Sequence, residues 1–443
     1  MKIVVICLGI KPARHFSFFD RQLLESKHDL KYFVITSTER IEKYGSILPS
    51  GFEHITSTWT PHDQSSFNKG MLLFRTISSQ LYRTHSMHWL RYFFMGNQVN
   101  RVNFKLILQN IYFVVRFVIK FMHSPLPVIF SEIPAGTISS NAIKFPESDK
   151  KKMIDLFSRE NPDLVLIQST LSDLSLYNVL TILEKLSLPS ILIVDSWDNI
   201  GSRPVLPKEV QRYLVQSSQQ SYLAKKVYGL ESEKVTLFGT PRISQVYRTK
   251  LSKNEGILRI GYLQGLPADD LEINLRMLEK SVNCFLKHQI LFSDYLIEIR
   301  GYPIKAEKAK INIGCTSEAF SQKVKVQSPS ESLLELFRES DVIVSEITTA
   351  GIEAACFGMP TIFIASNSQR IYLNGTRILR SFHSSDLESR GFSILKGIDS
   401  DEDCKNFHDT FHGLQKPDLG FFVYTDENQT ITERLIEEIG KSS

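Results

Sequence analysis

Residues 341–364 read Asp-Val-Ile-Val-Ser-Glu-Ile-Thr-Thr-Ala-Gly-Ile-Glu-Ala-Ala-Cys-Phe-Gly-Met-Pro-Thr-Ile-Phe-Ile, an order that few folds accommodate. Val342, Ile343 and Val344 make a short, wholly apolar run of buried-strand type. A turn of Ser, Glu and Thr follows, and the spacing predicts a helix that opens at Thr349 and closes at Gly358-Met359-Pro360. Residues 361–364 begin the next strand, so the segment is a β–turn–α–β unit. Small hydroxyl residues stand at the helix N-terminus, where free backbone N–H groups and the positive end of the dipole suit a phosphate or diphosphate. Glu353 lies one turn further in, where a carboxylate can accept hydrogen bonds from ribose hydroxyls. An ordinary α/β crossover with a good N-cap has the same spacing.

The same alternation runs through most of the chain. Strands are expected at 3–8 and 31–36, with a loop at 9–14 leading to a helix around 18–26. Residues 38–150 are less regular and richer in aromatics. Alternation then resumes with helix 149–159, strand 164–168, helix 172–186, strand 191–194, helix 207–228 and strand 235–238. The Lys/Ser/Asn/Glu/Gly stretch 248–256 has linker composition. Beyond it come strand 258–263, helix 270–287, strand 295–300 and a short strand 324–326. Ser328-Pro329-Ser330-Glu331 reads as a capping box with proline at the first helical position, and 430–439 as a terminal helix. At 443 residues the chain suits two α/β domains, 1–247 and 257–443.

Charge is unevenly placed. The net charge is +4, yet no acidic residue stands between Asp63 and Glu132, while Lys69, Arg75, Arg83, Arg91, Arg101, Lys105, Arg116 and Lys120 do. The basic, aromatic-rich insertion at 64–131 therefore suggests an anionic or membrane-borne acceptor. Within it, 106–122 is helical by length and suits either an interfacial helix with snorkelling cations or a core helix. Nucleic acid is not an expected partner, because the basic stripe is interleaved with long aliphatics and no nucleic-acid-binding motif is present. Cys7, Cys284, Cys315, Cys356 and Cys404 are scattered and odd in number, and are read as free thiols of a reducing compartment with no zinc site. The apolar run 3–10 is broken at once by Lys11-Pro12-Ala13-Arg14, as in a first strand and unlike a signal peptide. No stretch reaches bilayer length, so a cytoplasmic location is expected, peripheral on the inner face of the cell membrane through the basic segment.

Two motifs resemble those of a known family. The strand, the Thr348-Thr349 pair, Gly351-x-Glu353-Ala354 and Gly358-x-Pro360 are similar to the donor-nucleotide motif of GT-B glycosyltransferases. Asp195-Ser196-Trp197-Asp198-Asn199, with Val235-Thr236-Leu237-Phe238-Gly239-Thr240-Pro241-Arg242 further on, resembles a signature of transferases that build bacterial capsule and surface polysaccharide. The resemblance is anchored over 160–365, and the first 150 residues share only their opening strand. It implies an α/β, GT-B-like fold of two Rossmann-like domains facing a central cleft, with the acceptor on the first and the nucleotide donor on the second. The implied activity moves a sugar from a nucleotide-activated donor to a growing cell-surface glycan or lipid-linked acceptor. No cofactor is implied, and no Asp-x-Asp follows a strand where it would hold a metal.

Such a transfer needs charge compensation for the leaving phosphate, a grip on the nucleoside and, if configuration inverts, a base. Thr348, Thr349 and Gly351 are the diphosphate candidates and Glu353 the ribose candidate. Arg300 and Arg242 add positive charge at strand ends, or are respectively a solvated arginine and part of a structural turn. Trp197 and Asn199 belong to the cleft, as a sugar platform or as turn residues. The base is sought among His15, Asp20 and Asp198. A CDP-glycerol-type polyol-phosphate transferase shares a similar turn, but Arg300-Gly301-Tyr302-Pro303 lacks the imidazole of its Arg-x-His-Pro. A nucleotide-sugar 2-epimerase usually shows Gly-Gly-x-x-Glu-Glu, where this chain has one carboxylate, Glu353. A non-catalytic scaffold that keeps the fold is the remaining alternative.

Overall fold

The computed structural model describes residues 1–57, 137–138, 146–171, 175–196, 200, 206–207, 209–243, 256–265, 271–301, 320, 322–327, 332–364, 371–373, 376–379, 387–397, 400–426 and 428–442. The basic insertion 64–131, with its 106–122 helix, lies outside them. They form two compact units, Met1–Ser244 with Phe422–Ser443, and Gln245–Phe421.

Unit 1 begins with β1 (Lys2–Leu8), α1 (Ile10–Phe16), α2 (Arg21–Lys27), β2 (Asp29–Thr36), α3 (Thr38–Tyr44) and β3 (Phe52–Thr56). It continues with β4 (Thr137–Ile138), α4 (Glu147–Glu160), β5 (Leu164–Ser169), α5 (Ser175–Lys185) and β6 (Ser190–Val194). Then come β7 (Leu206–Pro207), β8 (Arg212–Val215), α6 (Ser218–Tyr222) and β9 (Val235–Leu237). Seven strands pair in the order β3-β2-β1-β5-β6-β8-β9, every pair parallel. The sequence dictates this: β1, β5 and β6 are almost entirely Val, Ile and Leu and are buried throughout, as strands covered on both faces must be. Gly9 at φ +101° lets the chain leave β1 and enter α1 without strain.

The expected loop at 9–14 is thus mostly helix, and the expected helix at 207–228 is corrected as well. Tyr213, Leu214 and Val215 are fully buried, and β8 pairs with β6 and β9, a sheet position that overrides helical spacing.

Unit 2 comprises β10 (Gly256–Leu263), α7 (Leu271–Lys287), β11 (Phe292–Arg300), β12 (Val324–Val326), α8 (Leu333–Glu339), β13 (Val342–Glu346), α9 (Thr349–Cys356) and β14 (Thr361–Ile364). A short antiparallel pair, β15 (Ile371–Leu373) and β16 (Thr376–Leu379), precedes β17 (Ile394–Leu395) and α10 (Ser400–Phe411). Its main sheet runs β12-β11-β10-β13-β14-β17, again all parallel. The capping box of α8 is Ser332 with Glu335, and the box expected at Ser328–Glu331 lies outside the described residues. Asp403 is buried in α10 and accepts the N–H groups of Lys396 and Gly397 at 2.9 and 2.7 Å.

Two departures concern the long-range assembly. Cys284 of α7 and Cys404 of α10 form a disulfide, against the expectation of free thiols throughout. The bridge sits beside Phe285, whose ring centre lies 5.1 Å from that of Phe407 and 5.3 Å from that of Phe411. Cys7 and Cys356 are free and buried, and Cys315 lies outside the described residues. Chain order assigns the C-terminus to the second domain, but α11 (Ile431–Gly440) packs on unit 1, where Ile431, Leu435 and Ile439 join the core of Phe16, Phe19 and Phe238. No helix of the described residues is long and apolar enough to cross a membrane.

Candidate active site

In both sheets the strand order reverses about the first strand, and a ligand crevice forms outside the carboxyl ends of the strands at such a switch point. In unit 1 the switch lies between β1 and β5. His15, on the helix that follows β1, and Gln168, near the end of β5, meet Asp195, the residue after β6. His15 Nδ1 is 2.8 Å from Asp195 Oδ1, and Gln168 Nε2 donates to the same oxygen at 2.8 Å. All three side chains are buried, Asp195 to 2 % exposure. Asp195 Oδ2 and Gln168 Oε1 are buried without a hydrogen-bond partner among the described residues. An ionised carboxylate only accepts, so Nδ1 carries the imidazole proton and the Nε2 lone pair is left over.

Burial lowers the His15 pKa to about 4; Arg242 and Lys11 push the same way, and Asp195 opposes them. Burial raises the Asp195 carboxyl, but His15, Lys11 and Gln168 outweigh it and hold it below its usual range. The unfolded chain takes up a proton at His15 near pH 6.5, while the folded chain resists until about 4. Stability therefore falls as pH drops through that window, by roughly 3 kcal/mol. Urea unfolding at pH 7 and pH 4.5 checks this: His15→Gln is expected to lose much less stability between the two than the unmodified chain.

The other first-unit candidates fall differently. Asp20 is exposed and caps α2, accepting the Leu23 N–H at 3.0 Å, while its own N–H donates to Thr432 Oγ1 at 2.9 Å. Arg242, half-buried in the turn after β9, donates its backbone N–H to Thr240 Oγ1 at 3.4 Å, and its charge acts on His15. Trp197, Asp198 and Asn199 lie outside the described residues.

In unit 2 the switch lies between β10 and β13, and the expected donor turn stands there. Thr348 is the N-cap of α9: its Oγ1 accepts the Gly351 N–H at 3.3 Å and lies 3.1 Å from Ser345 Oγ. Thr349 opens the helix, and Glu353 is buried within it. A Cβ on Gly351 would stand 2.5 Å from Ser345 Oγ and 2.6 Å from Phe363 Cε1. The glycine is thus demanded by helix-on-sheet contact. Gly351→Ala is expected to cost about 1–3 kcal/mol, read as a lowered urea midpoint. Arg300, at the end of β11, donates from Nη1 to Gln327 Oε1 at 3.2 Å.

Sequence reasoning passed over Glu346, the last residue of β13. This buried carboxylate accepts from Tyr262 Oη at 2.7 Å, Asn274 Nδ2 at 2.9 Å and Gly265 N at 2.7 Å. It fixes the chain after β10 against the turn, where a Cβ on Gly265 would be 3.2 Å from Thr348 Cγ2. Gln168 was also passed over, and Asp195 was named only as part of the 195–199 motif, without a role. One signal marks all three: a polar side chain at the end of an otherwise apolar strand, where the sheet stops covering it.

No protein-family model matches the chain, and no curated protein matches it. Solved structures do resemble it. UDP-GlcNAc 2-epimerase from Methanocaldococcus jannaschii superposes with a TM-score of 0.55 at 10% identity over 100% of both chains. A putative UDP-N-acetylglucosamine 2-epimerase from Listeria monocytogenes gives 0.52 at 11%, covering 99% of this chain and 96% of that one. The S. aureus MnaA–UDP co-structure gives 0.51 at 10%, with coverage of 99% and 96%. At such identities the likeness speaks for the fold. With its two parallel sheets, each reversing order about its first strand, the chain has an α/β GT-B fold of two Rossmann-like units.

Proposed function

We propose that this protein transfers a sugar from a nucleotide-activated donor to a hydroxyl of a cell-surface glycan or lipid-linked acceptor. The observation that carries the reading is the His15–Asp195 pair at the switch point of unit 1. Asp195 holds Nδ1–H, so neutral His15 offers Nε2 to an acceptor hydroxyl. As the hydroxyl oxygen bonds to the anomeric carbon, its proton passes to Nε2 and the bond to the nucleoside diphosphate breaks. The departing charge is taken by the N-terminus of α9 with Thr349, held in place by the Thr348 cap, and by Arg300; Glu353 takes the ribose. The capsule-type motif at 195–199 favours a surface-glycan acceptor, and the basic segment 64–131 a membrane-borne one.

Nucleotide-sugar 2-epimerisation is the second reading, favoured by the names of the proteins the fold resembles. The two differ in product. An epimerase alters the sugar and keeps the nucleotide sugar whole at the end of the turnover, whereas a transferase releases nucleoside diphosphate in proportion to acceptor. The first experiment is thermal unfolding with UDP, CDP, CMP, GDP and ADP, with Glu353→Ala alongside. A selective rise with one nucleotide, lost in the variant, supports the donor site. That nucleotide's sugars are then tested for acceptor-dependent release. No rise with any of them sinks the transferase reading and leaves a scaffold.

A further inference from the structure

One cation in unit 1 has no part in the scheme above. Arg434, in α11, is 9 % exposed. Its Nε and Nη1 are buried and meet no hydrogen-bond acceptor among the described residues, and Nη2 forms no hydrogen bond to them either. No carboxylate of the described residues pairs with it, although Asp426 and Tyr424 act on it through space. Its guanidinium carbon is 5.1 Å from the centre of the Tyr424 ring and 5.7 Å from that of Phe238. Gly239 follows Phe238 with φ +96°, and a Cβ there would stand 3.3 Å from Arg434 Nη2 and 2.4 Å from the Tyr424 carbonyl oxygen.

A guanidinium stays protonated in a protein, and burying one unpaired costs several kcal/mol. Two aromatic rings stand beside the group, whose edge donors are the part that forms two-toothed bonds to an oxyanion. The turn beside it runs from Gly239 through Thr240 to Arg242, the residue whose charge reaches His15. Arg434 thus stands beside the exit of β9, followed in the chain by a turn whose Arg242 acts electrostatically on His15.

We propose that Arg434 anchors an oxyanion subsite in unit 1 that takes a phosphate or carboxylate group of the acceptor. The oxyanion site stands on the buried guanidinium alone; its assignment to the acceptor rests on the transfer reading. The site gives a role to a buried charge that no carboxylate of the described residues pairs.

The test is thermal unfolding of the full chain in sodium phosphate, sodium glucuronate and sodium chloride at matched ionic strength, with calorimetric titration of the same anions. Phosphate or glucuronate is expected to raise the melting temperature above the chloride value. A phosphate-only response assigns a phosphorylated acceptor, a glucuronate-only response an acidic sugar. Arg434→Met should melt no lower than the unmodified chain in chloride, because it removes a buried charge that no carboxylate of the described residues pairs. It should also lose the specific rise, with binding weakened at least about tenfold; Arg434→Lys, which keeps charge without the fork, should retain part of it. A specific rise that survives in Arg434→Met overturns the proposal. So does the absence of any rise in the unmodified chain, or a lowered melting temperature in chloride for both variants, which would mark a structural arginine. The nucleotide panel, run on Arg434→Met, separates the two readings. Nucleotide selectivity without an oxyanion effect leaves transfer standing and removes the subsite, and the reverse result removes transfer alone.

Discussion

Replacing His15 by Asn is expected to lower kcat for sugar transfer about 10²–10⁴-fold, the range lost with a positioned base. The loss should fall on kcat, with nucleotide binding unchanged, because the proposed donor groups belong to unit 2. Asp195→Asn should come close to the same loss. Its amide can no longer accept from both His15 Nδ1 and Gln168 Nε2 with a full negative charge, so the imidazole loses its fixed tautomer. The double variant should be little worse than either single one, since the two side chains act as a unit. In the unmodified protein the acid limb of kcat should lie near pH 4, where His15 takes a proton. Arg242→Ala should move that limb upward, because a positive charge that disfavours the imidazolium is gone. Steady-state kinetics between pH 4 and pH 8 measure all of this. A loss under tenfold in His15→Asn would remove the residue from the role of base.

Cutting the Cys284–Cys404 bridge is the second large effect. The bridge closes 120 residues of chain, most of unit 2. The chain-entropy argument assigns such a loop about 5 kcal/mol, and measured losses are commonly 2–4 kcal/mol. Cys404→Ser should therefore lower the urea midpoint of unit 2 clearly, and the variant should no longer respond to dithiothreitol. The unmodified chain treated with reductant should fall to the same midpoint, since both end in the same unbridged state. A chain whose unfolding ignores reductant has no working bridge. The expected cytoplasmic location and an intact bridge pull in opposite directions, because a reducing compartment keeps thiols apart. Reductant sensitivity of the freshly isolated protein thus bears on where it matures. Cys7 and Cys356 do not complicate the experiment: burial raises both thiols, Cys356 to about 12 with help from Glu353, so they stay protonated and unreactive.

Apolar strands were the legible part of this chain. Runs such as 164–168, 191–194 and 342–344 leave no alternative to burial on both faces, and the structure has strands at each. The 212–215 strand was masked by its setting in a stretch whose spacing also fits a helix, and only pairing with both neighbours decides it. Thr348 was legible as a cap from local spacing alone. His15 could be singled out by type, but its partner could not, because 180 residues separate it from Asp195 and only the sheet order joins them. Glu346 was hidden for the same reason, since its three donors come from β10, the turn after it and α7. Arg434 left no local trace at all: what sets it apart is that Nε and Nη1 are buried with no hydrogen-bond partner among the described residues, which only the packed state shows.

The return of α11 to unit 1 has a bearing on how the protein is made. Ile431, Leu435 and Ile439 complete a core whose other members, Phe16 and Phe19 among them, leave the ribosome long before these three. All of residues 245–421 must be translated in between. The nascent first unit therefore waits with an apolar seam uncovered, a state that invites chaperone holding or misassembly. Unit 2 has no such delay, being one continuous stretch. The half of the molecule begun first is the half finished last.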